Sequence, residues 1–258
     1  MRMRRERVVR LLPAAVTFLL ILALWLILSE GGIVPSYMLP SPVAVISSFV
    51  TDFPTLMTHL LVTAQEAFWG LLIGIALAFI MAVLMDRYEL VRRSLYPVMV
   101  ITQTIPTIAL APILVLWMGF GKAPKIAVVV ITTFFPIAVS LLDGFRGVDQ
   151  DQVDLLRTMG AGGRQIFFHI KMPSALGAFF SGLKVSASYS VVGAVIAEWL
   201  GGFEGLGVYM TRVRKAYAFD SMFAVIILIV VLSLLLIALV NFLSFVTMPW
   251  ERVRENKE

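Results

Sequence analysis

The segment from Asp154 to Pro173, DLLRTMGAGGRQIFFHIKMP, is rich in charged residues and glycines. The spacing of these residues suits contact with another protein. Long apolar segments lie on both sides of this polar island. Asp149, Asp151 and Asp154 fall where a short helix would begin, and carboxylates there interact favourably with the helix dipole and the free amides. Gly160 would permit a turn into a second short helix. The pattern predicts a helix–turn–helix elbow that docks against a soluble partner.

The chain lacks the residue patterns of catalytic and metal sites. It contains no cysteine, and its two histidines, His59 and His169, are too far apart for a HExxH zinc motif. The phosphate-binding pattern GxxxxGK[ST] does not occur, because Gly121 and Lys122 are followed by Ala123. No GxSxG nucleophile motif occurs either. We therefore expect no catalytic residue, no metal, no cofactor and no bound ATP in this chain.

Composition indicates a protein whose solvent is the lipid bilayer. Of the 258 residues, 60% are apolar and only 14% are charged, whereas a soluble domain is roughly 45–50% apolar. Six segments have the roughly 17–25 mostly apolar residues that a helix needs to cross the hydrocarbon core. They are residues 11–28, 60–85, 95–117, 126–142, 175–197 and 222–248. We predict an all-α polytopic membrane protein with about six transmembrane helices in a single domain, residues 1–258.

The distribution of lysine and arginine predicts the orientation. If the N-terminus is cytoplasmic, basic residues on the inside outnumber those on the outside roughly three to one, as the positive-inside rule requires. The outer segments then hold Lys122, Lys125, Arg212, Arg214 and Lys215. The net charge of the chain is +5, and its basic residues lie beside the apolar segments. They do not form a basic stripe interleaved with aromatic residues, the pattern of a nucleic-acid-binding surface, so we expect no nucleic-acid partner. Both termini and the polar island are predicted to be cytoplasmic.

The connecting and spanning segments carry further signals. The first apolar segment, residues 11–28, is longer than a signal-peptide core and is predicted to stay as an anchor. The outer segment that follows, residues 31–59, contains several prolines, and one short helix is predicted in it over residues 43–53. Pro97, Pro106 and Pro112 interrupt the third span and would kink it. Glu66, inside the second span, would either line a pathway or sit at the membrane interface.

Two spans carry small residues at intervals of four. On the second span they are Gly70, Gly74, Ala78 and Ala82. On the fifth span they are Gly182, Ser186, Ser190 and Ala194 with Ala178 before them, and the series continues to Glu198. Small residues let helices approach closely, so ordinary packing is the favoured interpretation for the second span. For the fifth span, a translocation path or subunit seam formed by Gly182, Ser186, Ser190, Ala194 and Glu198 is equally open.

The polar island resembles the EAA loop of bacterial ATP-binding-cassette importer permeases, with pattern EAA-x3-G-x9-IxLP. Asp154 stands at the Glu position, Gly160 is the central glycine, and Ile170, Met172 and Pro173 follow at the family spacing. Leu155 and Leu156 replace the two alanines, and Met172 replaces the leucine. The sequences LPSP, WMGFGKAPK, FFP and AEWLG with GLG resemble the branch that serves sulfonates, taurine, nitrate and thiamine precursors. The chain is thus similar to this permease family over nearly its whole length.

The resemblance implies a type I importer permease fold and a set of partners. These are a second permease copy in a homodimer, two copies of a cytoplasmic ATPase that binds the ATP, and an extracytoplasmic binding protein. Residues 146–173 would form the coupling loop. The residues expected to contact the ATPase are Asp154, Arg157, Thr158, Gly160, Ala161, Ile170 and Pro173.

Two other classes remain open on the sequence alone. A secondary transporter would show inverted halves and broken, ion-binding helices. An intramembrane enzyme would need acids, histidines or hydroxyls that converge on facing helices. The substrate is a small polar solute, of either the sulfonate, taurine or nitrate type or the thiamine pyrimidine-precursor type.

Overall fold

The structure, a computed structural model, describes residues 2–249, and it describes side chains from residue 12 onward. Within this range the chain forms helices and no strand. The helices are α1 (Arg2–Glu30), α2 (Pro42–Thr51), α3 (Phe53–Arg87), α4 (Glu89–Thr104), α5 (Thr107–Met118), α6 (Lys122–Arg146), α7 (Gln150–Thr158), α8 (Gly163–Ile166), α9 (Met172–Gly201), α10 (Leu206–Lys215) and α11 (Phe219–Thr247). A π-helical turn, Phe167–Lys171, joins α8 to α9. The predicted all-helical fold is confirmed for the described residues.

Five of these helical segments are long and apolar enough to cross a membrane. They are Leu12–Glu30, Phe53–Arg87, Lys122–Arg146, Gly163–Gly201 and Phe219–Thr247. The helices α4 and α5 together form a sixth candidate span, but it is bent by 102°. The sequence therefore predicts the number of spans correctly if this bent pair is one span.

The predicted third span, residues 95–117, is a broken helix and not a continuous one. The break falls between Thr104 and Thr107, at Ile105 and Pro106. Pro106 has no amide hydrogen, and a proline disfavours helical geometry in the residue before it. Ile105 accordingly has an extended backbone with φ −77° and ψ 121°. Pro97 and Pro112 stay inside α4 and α5, so only one of the three prolines ends a helix.

The contacts divide the chain into two compact units. The larger comprises residues 58–208 and 229–258, of which 250–258 lie outside the described residues. Its core includes Ile137, Leu141 and Phe145 of α6 and Leu183 and Ala187 of α9, all buried. The helices α6 and α9 approach closely because the contact is built from small residues. A Cβ on Gly182 would lie 2.7 Å from the carbonyl oxygen of Pro136.

The small residues of the second span also serve helix packing. A Cβ on Gly70 would lie 2.4 Å from the side chain of Val129, and one on Gly74 would lie 2.4 Å from the Thr133 hydroxyl oxygen. Ala78 and Ala82 are fully buried. This confirms the packing interpretation for the second span, whose partner is α6.

The smaller unit comprises residues 1–57 and 209–228, and Met1 lies outside the described residues. The helix predicted over residues 43–53 is α2, Pro42–Thr51, which begins where the Ser41 side chain accepts a hydrogen bond from the Ala44 amide. Asp52 accepts hydrogen bonds from the Tyr209 hydroxyl at 2.8 Å and from the Ser221 hydroxyl at 3.1 Å. Burial, together with the Asp52 carboxylate, raises the pKa of Tyr209 to about 12, so its phenol keeps the proton that it donates.

Candidate coupling site and buried polar network

The polar island folds as the predicted helix–turn–helix elbow. The helix α7 starts at an Asp149 side chain that accepts a hydrogen bond from the Asp151 amide at 3.0 Å. Gly160 has a φ of +86°, a conformation that a residue with a Cβ rarely adopts. The amides of Gly160 and Ala161 donate to the carbonyls of Arg157 and Leu156, at 3.0 and 2.9 Å. These bonds close the end of α7 and reverse the chain.

A small apolar core holds the two halves of the elbow together. Val148, Val153 and Ile166 are buried in one cluster, and Leu156, Ala161 and Ile170 pack against it. Two of the predicted ATPase-contact residues, Ala161 and Ile170, thus pack inside the elbow. Both side chains are only partly exposed, and their predicted contact with the ATPase stays a prediction.

Four of the other five predicted contact residues lie on the outside of the elbow. Asp154, Arg157, Thr158 and Gly160 are all exposed. Asp154 and Arg157 form an ion pair at 3.0 Å with each other, with both side chains more than 60% exposed. Next to them Leu155 and Met159 are 61% and 74% exposed. Leu155 and Met159 lie one helical turn apart, so a partner could contact both side chains together.

Pro173 lies near the start of α9 and marks the path from the elbow into the membrane. The π-helical turn Phe167–Lys171 ends just before it, and the Met172 amide donates to the Phe167 carbonyl, five residues back. Proline cannot donate the next helical hydrogen bond, and the wider π turn carries the helix across this position. The elbow therefore continues without a loop into the span Gly163–Gly201.

An ion pair absent from the sequence prediction joins the elbow to a second span. Lys171 donates to both carboxylate oxygens of Asp86, at 2.7 and 2.8 Å. Asp86 lies near the end of α3, and its side chain is only 10% exposed. A cavity of about 620 Å³ beside this pair is lined by Arg87, Arg157 and Arg164 among others. The elbow thus contacts the membrane helices through α9 and through the end of α3.

The predicted path residues of the fifth span are buried in the larger unit. Gly182, Ser186, Ser190, Ala194 and Glu198 are all buried. Ser186 donates to the Thr133 carbonyl of α6 at 3.0 Å. These are contacts of helix packing within one chain, which is the alternative that the sequence left open. A role for the same residues in a path or a seam stays a prediction.

Glu198 belongs to a buried polar network that the sequence analysis did not find. Its carboxylate accepts hydrogen bonds from the Thr63 hydroxyl at 2.7 Å and from the Gly207 amide at 2.6 Å. The Leu206 amide donates to Thr63 at 2.8 Å, and the Gly205 amide donates to His59 Nδ1 at 3.0 Å. The α3 side chains and Glu198 therefore hold the connection between α9 and α10.

Two more charged groups complete the network. Lys125 donates to Glu66 at 2.9 Å and to the Glu204 carbonyl at 3.2 Å. Among the described residues, Glu66 Oε2 has no hydrogen-bond partner. Glu66 is thus buried and paired with Lys125 inside the protein, and its expected place along a pathway or at the membrane interface stays a prediction. Sequence spacing could not reveal the network because its members come from α3, α6 and the end of α9.

Comparison with known proteins identifies the family. Residues 70–246 match the family described as binding-protein-dependent transport system inner membrane component. The chain is 37% identical over 248 residues to the formylaminopyrimidine transport permease protein ThiX of Halalkalibacterium halodurans, covering 96% of this chain and 99% of that one. It is 28% identical to the putative aliphatic sulfonates transport permease protein SsuC of Bacillus subtilis, covering 95% of this chain and 88% of that one.

A solved structure shows the same fold. An amino acid ABC transporter crystallised with histidines matches with a TM-score of 0.64 at 15% identity, covering 76% of this chain and 96% of that one. The family match includes the elbow and all or part of every candidate span except the first. The chain therefore belongs to the family of binding-protein-dependent transport system inner membrane components, and it is a non-catalytic, multi-pass permease subunit of an ATP-binding-cassette importer in the bacterial inner membrane.

Proposed function

We propose that this permease imports a thiamine pyrimidine precursor of the formylaminopyrimidine type. The similarity to a formylaminopyrimidine permease covers nearly all of both chains at 37% identity, whereas the similarity to the sulfonate permease is 28%. Glu66 is buried and accepts a hydrogen bond from Lys125 at 2.9 Å, and the exposed Gln65 accepts one from Lys122 at 2.8 Å, so neither residue adds support for one substrate over the other. Recognition by those two residues therefore forms no part of the proposal.

We further propose that two copies of the chain form the membrane part of the importer and that each elbow docks on an ATPase. The exposed Leu155 and Met159 supply an apolar contact, and Arg87, Arg157 and Arg164 supply a basic rim. An ATPase surface with an apolar groove and acidic edges would fit this combination. Movement of the docked elbow would reach α9 through the continuous helix and α3 through Lys171 and Asp86.

The experiment is transport by the reconstituted importer. The chain is inserted in proteoliposomes with its ATPase, and the binding protein is loaded with labelled formylaminopyrimidine or labelled taurine. We expect ATP-dependent uptake of formylaminopyrimidine and none of taurine. Uptake of taurine alone would overturn the proposed substrate. The mass of the purified complex tests the homodimer, and a mass that corresponds to one permease copy per complex would overturn it.

The coupling role is tested by Gly160→Pro with Gly163→Ala as the control. Proline cannot adopt the φ of +86° at Gly160, and it lacks the amide that donates to Arg157. A Cβ on Gly163 would meet nothing within 4 Å. We expect Gly160→Pro to abolish substrate-stimulated ATP hydrolysis while the chain still inserts in the membrane, and Gly163→Ala to hydrolyse normally. Normal stimulation in Gly160→Pro would contradict the coupling role.

A further inference from the structure

The break between α4 and α5 opens beside a cavity in the larger unit. Ile105 and Pro106 are not helical, and the two helices meet at 102°. Backbone groups outside a helix have no partner in lipid, so such breaks occur at membrane depth only where they are buried in protein or line a wet cavity. The cavity here has a volume of about 200 Å³. This is below the roughly 300–1,000 Å³ of pockets for drug-sized ligands, so it would hold only a small solute.

The polar residues that line this cavity are uncharged. They are Thr102, Gln103, Thr107, Thr132 and Tyr189. The other described residues around it are apolar apart from one glycine, and no described lining residue carries a charge. An anion placed there would lose its hydration without gaining a cation, which is unfavourable. The cavity therefore suits an uncharged solute that can form hydrogen bonds.

Three of these side chains, Gln103, Thr107 and Tyr189, form no hydrogen bond within the described residues. The hydroxyls of Thr102 and Thr132 donate to carbonyls of their own helices, at 2.7 Å to Met99 and 2.9 Å to Val129. In contrast, the Gln103 amide and the Tyr189 hydroxyl have no hydrogen-bond partner within the described residues. The amide offers both donors and an acceptor, and the Tyr189 ring offers an apolar face for a flat molecule.

We propose that Gln103 and Tyr189 form a solute-recognition site in the permease itself, which favours a small, uncharged, flat heterocycle over an anion. Such a heterocycle carries its donors and acceptors in the ring plane and has apolar faces, and it therefore matches an amide beside an aromatic ring. This inference rests on the proposed import of a pyrimidine precursor and adds a second selection step after the binding protein.

Uptake by variants of the reconstituted importer tests the site. Gln103→Ala and Tyr189→Phe each remove the group that would hydrogen-bond the solute, and neither changes the backbone. We expect each to raise the apparent KM for loaded binding protein or to lower uptake of formylaminopyrimidine by about two- to ten-fold. The basal ATP hydrolysis should not change. The matched control is Thr104→Val, because Thr104 lies next to Gln103 but does not line the cavity, and its hydroxyl donates to Ile101 at 2.8 Å.

Protection of an introduced cysteine by bound solute is a measurement that a purely structural role would not change. The chain has no native cysteine, so Thr107→Cys introduces the only thiol in it, in the lining of the same cavity and with Gln103 and Tyr189 left in place. In the complete importer, formylaminopyrimidine-loaded binding protein and ATP should slow its modification by a maleimide. Thr104→Cys, at an exposed neighbouring position, should be modified at the same rate with and without solute.

The possible outcomes separate this inference from the proposed function. If both cavity variants take up formylaminopyrimidine as well as the wild type, and the solute does not protect Thr107→Cys, the site is overturned and the proposed function still stands. Uptake of taurine alone would overturn both the uncharged selectivity and the proposed substrate. Reduced uptake in both cavity variants together with protection of Thr107→Cys would establish the site.

Discussion

Lys125 Nζ lies 2.9 Å from Glu66 Oε1 in a pair whose side chains are 4% and 0% exposed. The pair links α6 to α3, and Lys125 also donates to the Glu204 carbonyl. A charge pair from which water is excluded stabilises the fold only while both partners are present, because a single buried charge has a large desolvation cost. The connection between α9 and α10 therefore depends on side chains that lie far from it in the sequence.

Replacing Lys125 should destabilise the permease strongly. Lys125→Met leaves the Glu66 carboxylate buried without its ammonium, a change that costs about 3–5 kcal/mol in comparable pairs. We expect a large fall in the melting temperature of the purified protein in detergent. The double variant Glu66→Gln with Lys125→Met should recover part of the loss, because no buried charge then lacks its partner.

The matched control for this change is Lys122→Met. Lys122 bonds to Gln65 from an exposed position, and exposed polar contacts contribute about 0–1 kcal/mol. Equal melting temperatures for Lys125→Met and Lys122→Met would show that the buried pair does not stabilise the fold.

A side chain at Gly205 should disrupt the same network. Gly205 has a φ of +121°, and a Cβ there would lie 2.2 Å from the carboxylate carbon of Glu198. Gly205→Ala must therefore displace Glu198 from the Thr63 hydroxyl and the Gly207 amide. Gly119→Ala is the control, since Gly119 also has a positive φ, of +77°, but has nothing within 4 Å of its Cβ position. A larger loss of thermal stability in Gly205→Ala is expected, and equal losses would point to backbone strain alone.

The sequence predicts those parts of the fold that depend on local composition. The lengths of the apolar segments predict the spans, and the glycines and aspartates of the polar island predict the elbow. Proline in the third span indicates a kink, but three prolines have the same local signal, and only Pro106 ends a helix. The sequence around the three prolines therefore does not show which of them ends a helix.

Contacts between distant segments could not be predicted in this way. Lys125 stands at the start of an apolar span and resembles an ordinary loop lysine, yet its side chain is 4% exposed. The sequence does not indicate that Lys171 pairs with Asp86, because no motif links these two residues. The small residues at intervals of four on the fifth span indicate a close helix contact, but the pattern does not tell a contact inside one chain from one between two chains.

The exposed apolar residues of α7 should be needed for binding the ATPase. Leu155→Asp places a charge on a side chain that is 61% exposed, so the isolated permease should keep its melting temperature while the ATPase no longer co-purifies. Gln152→Asp adds the same charge at another exposed position of α7 and should keep the complex intact. Retention of the ATPase by Leu155→Asp would place the contact elsewhere, and loss in both variants would indicate a charge effect.

The pair between Lys171 and Asp86 should contribute to both stability and coupling. Lys171→Ala removes two short, charge-assisted hydrogen bonds to a carboxylate that is 10% exposed, which we expect to cost about 1–2 kcal/mol. It also frees the π-helical turn from α3, so ATP hydrolysis should respond less to loaded binding protein while basal hydrolysis persists. Arg93→Ala is the control, because its pair with Glu89 joins two neighbouring turns of α4 and is exposed. A Lys171→Ala variant that matches Arg93→Ala in melting temperature and in stimulated hydrolysis would show that α9 alone transmits the movement of the elbow.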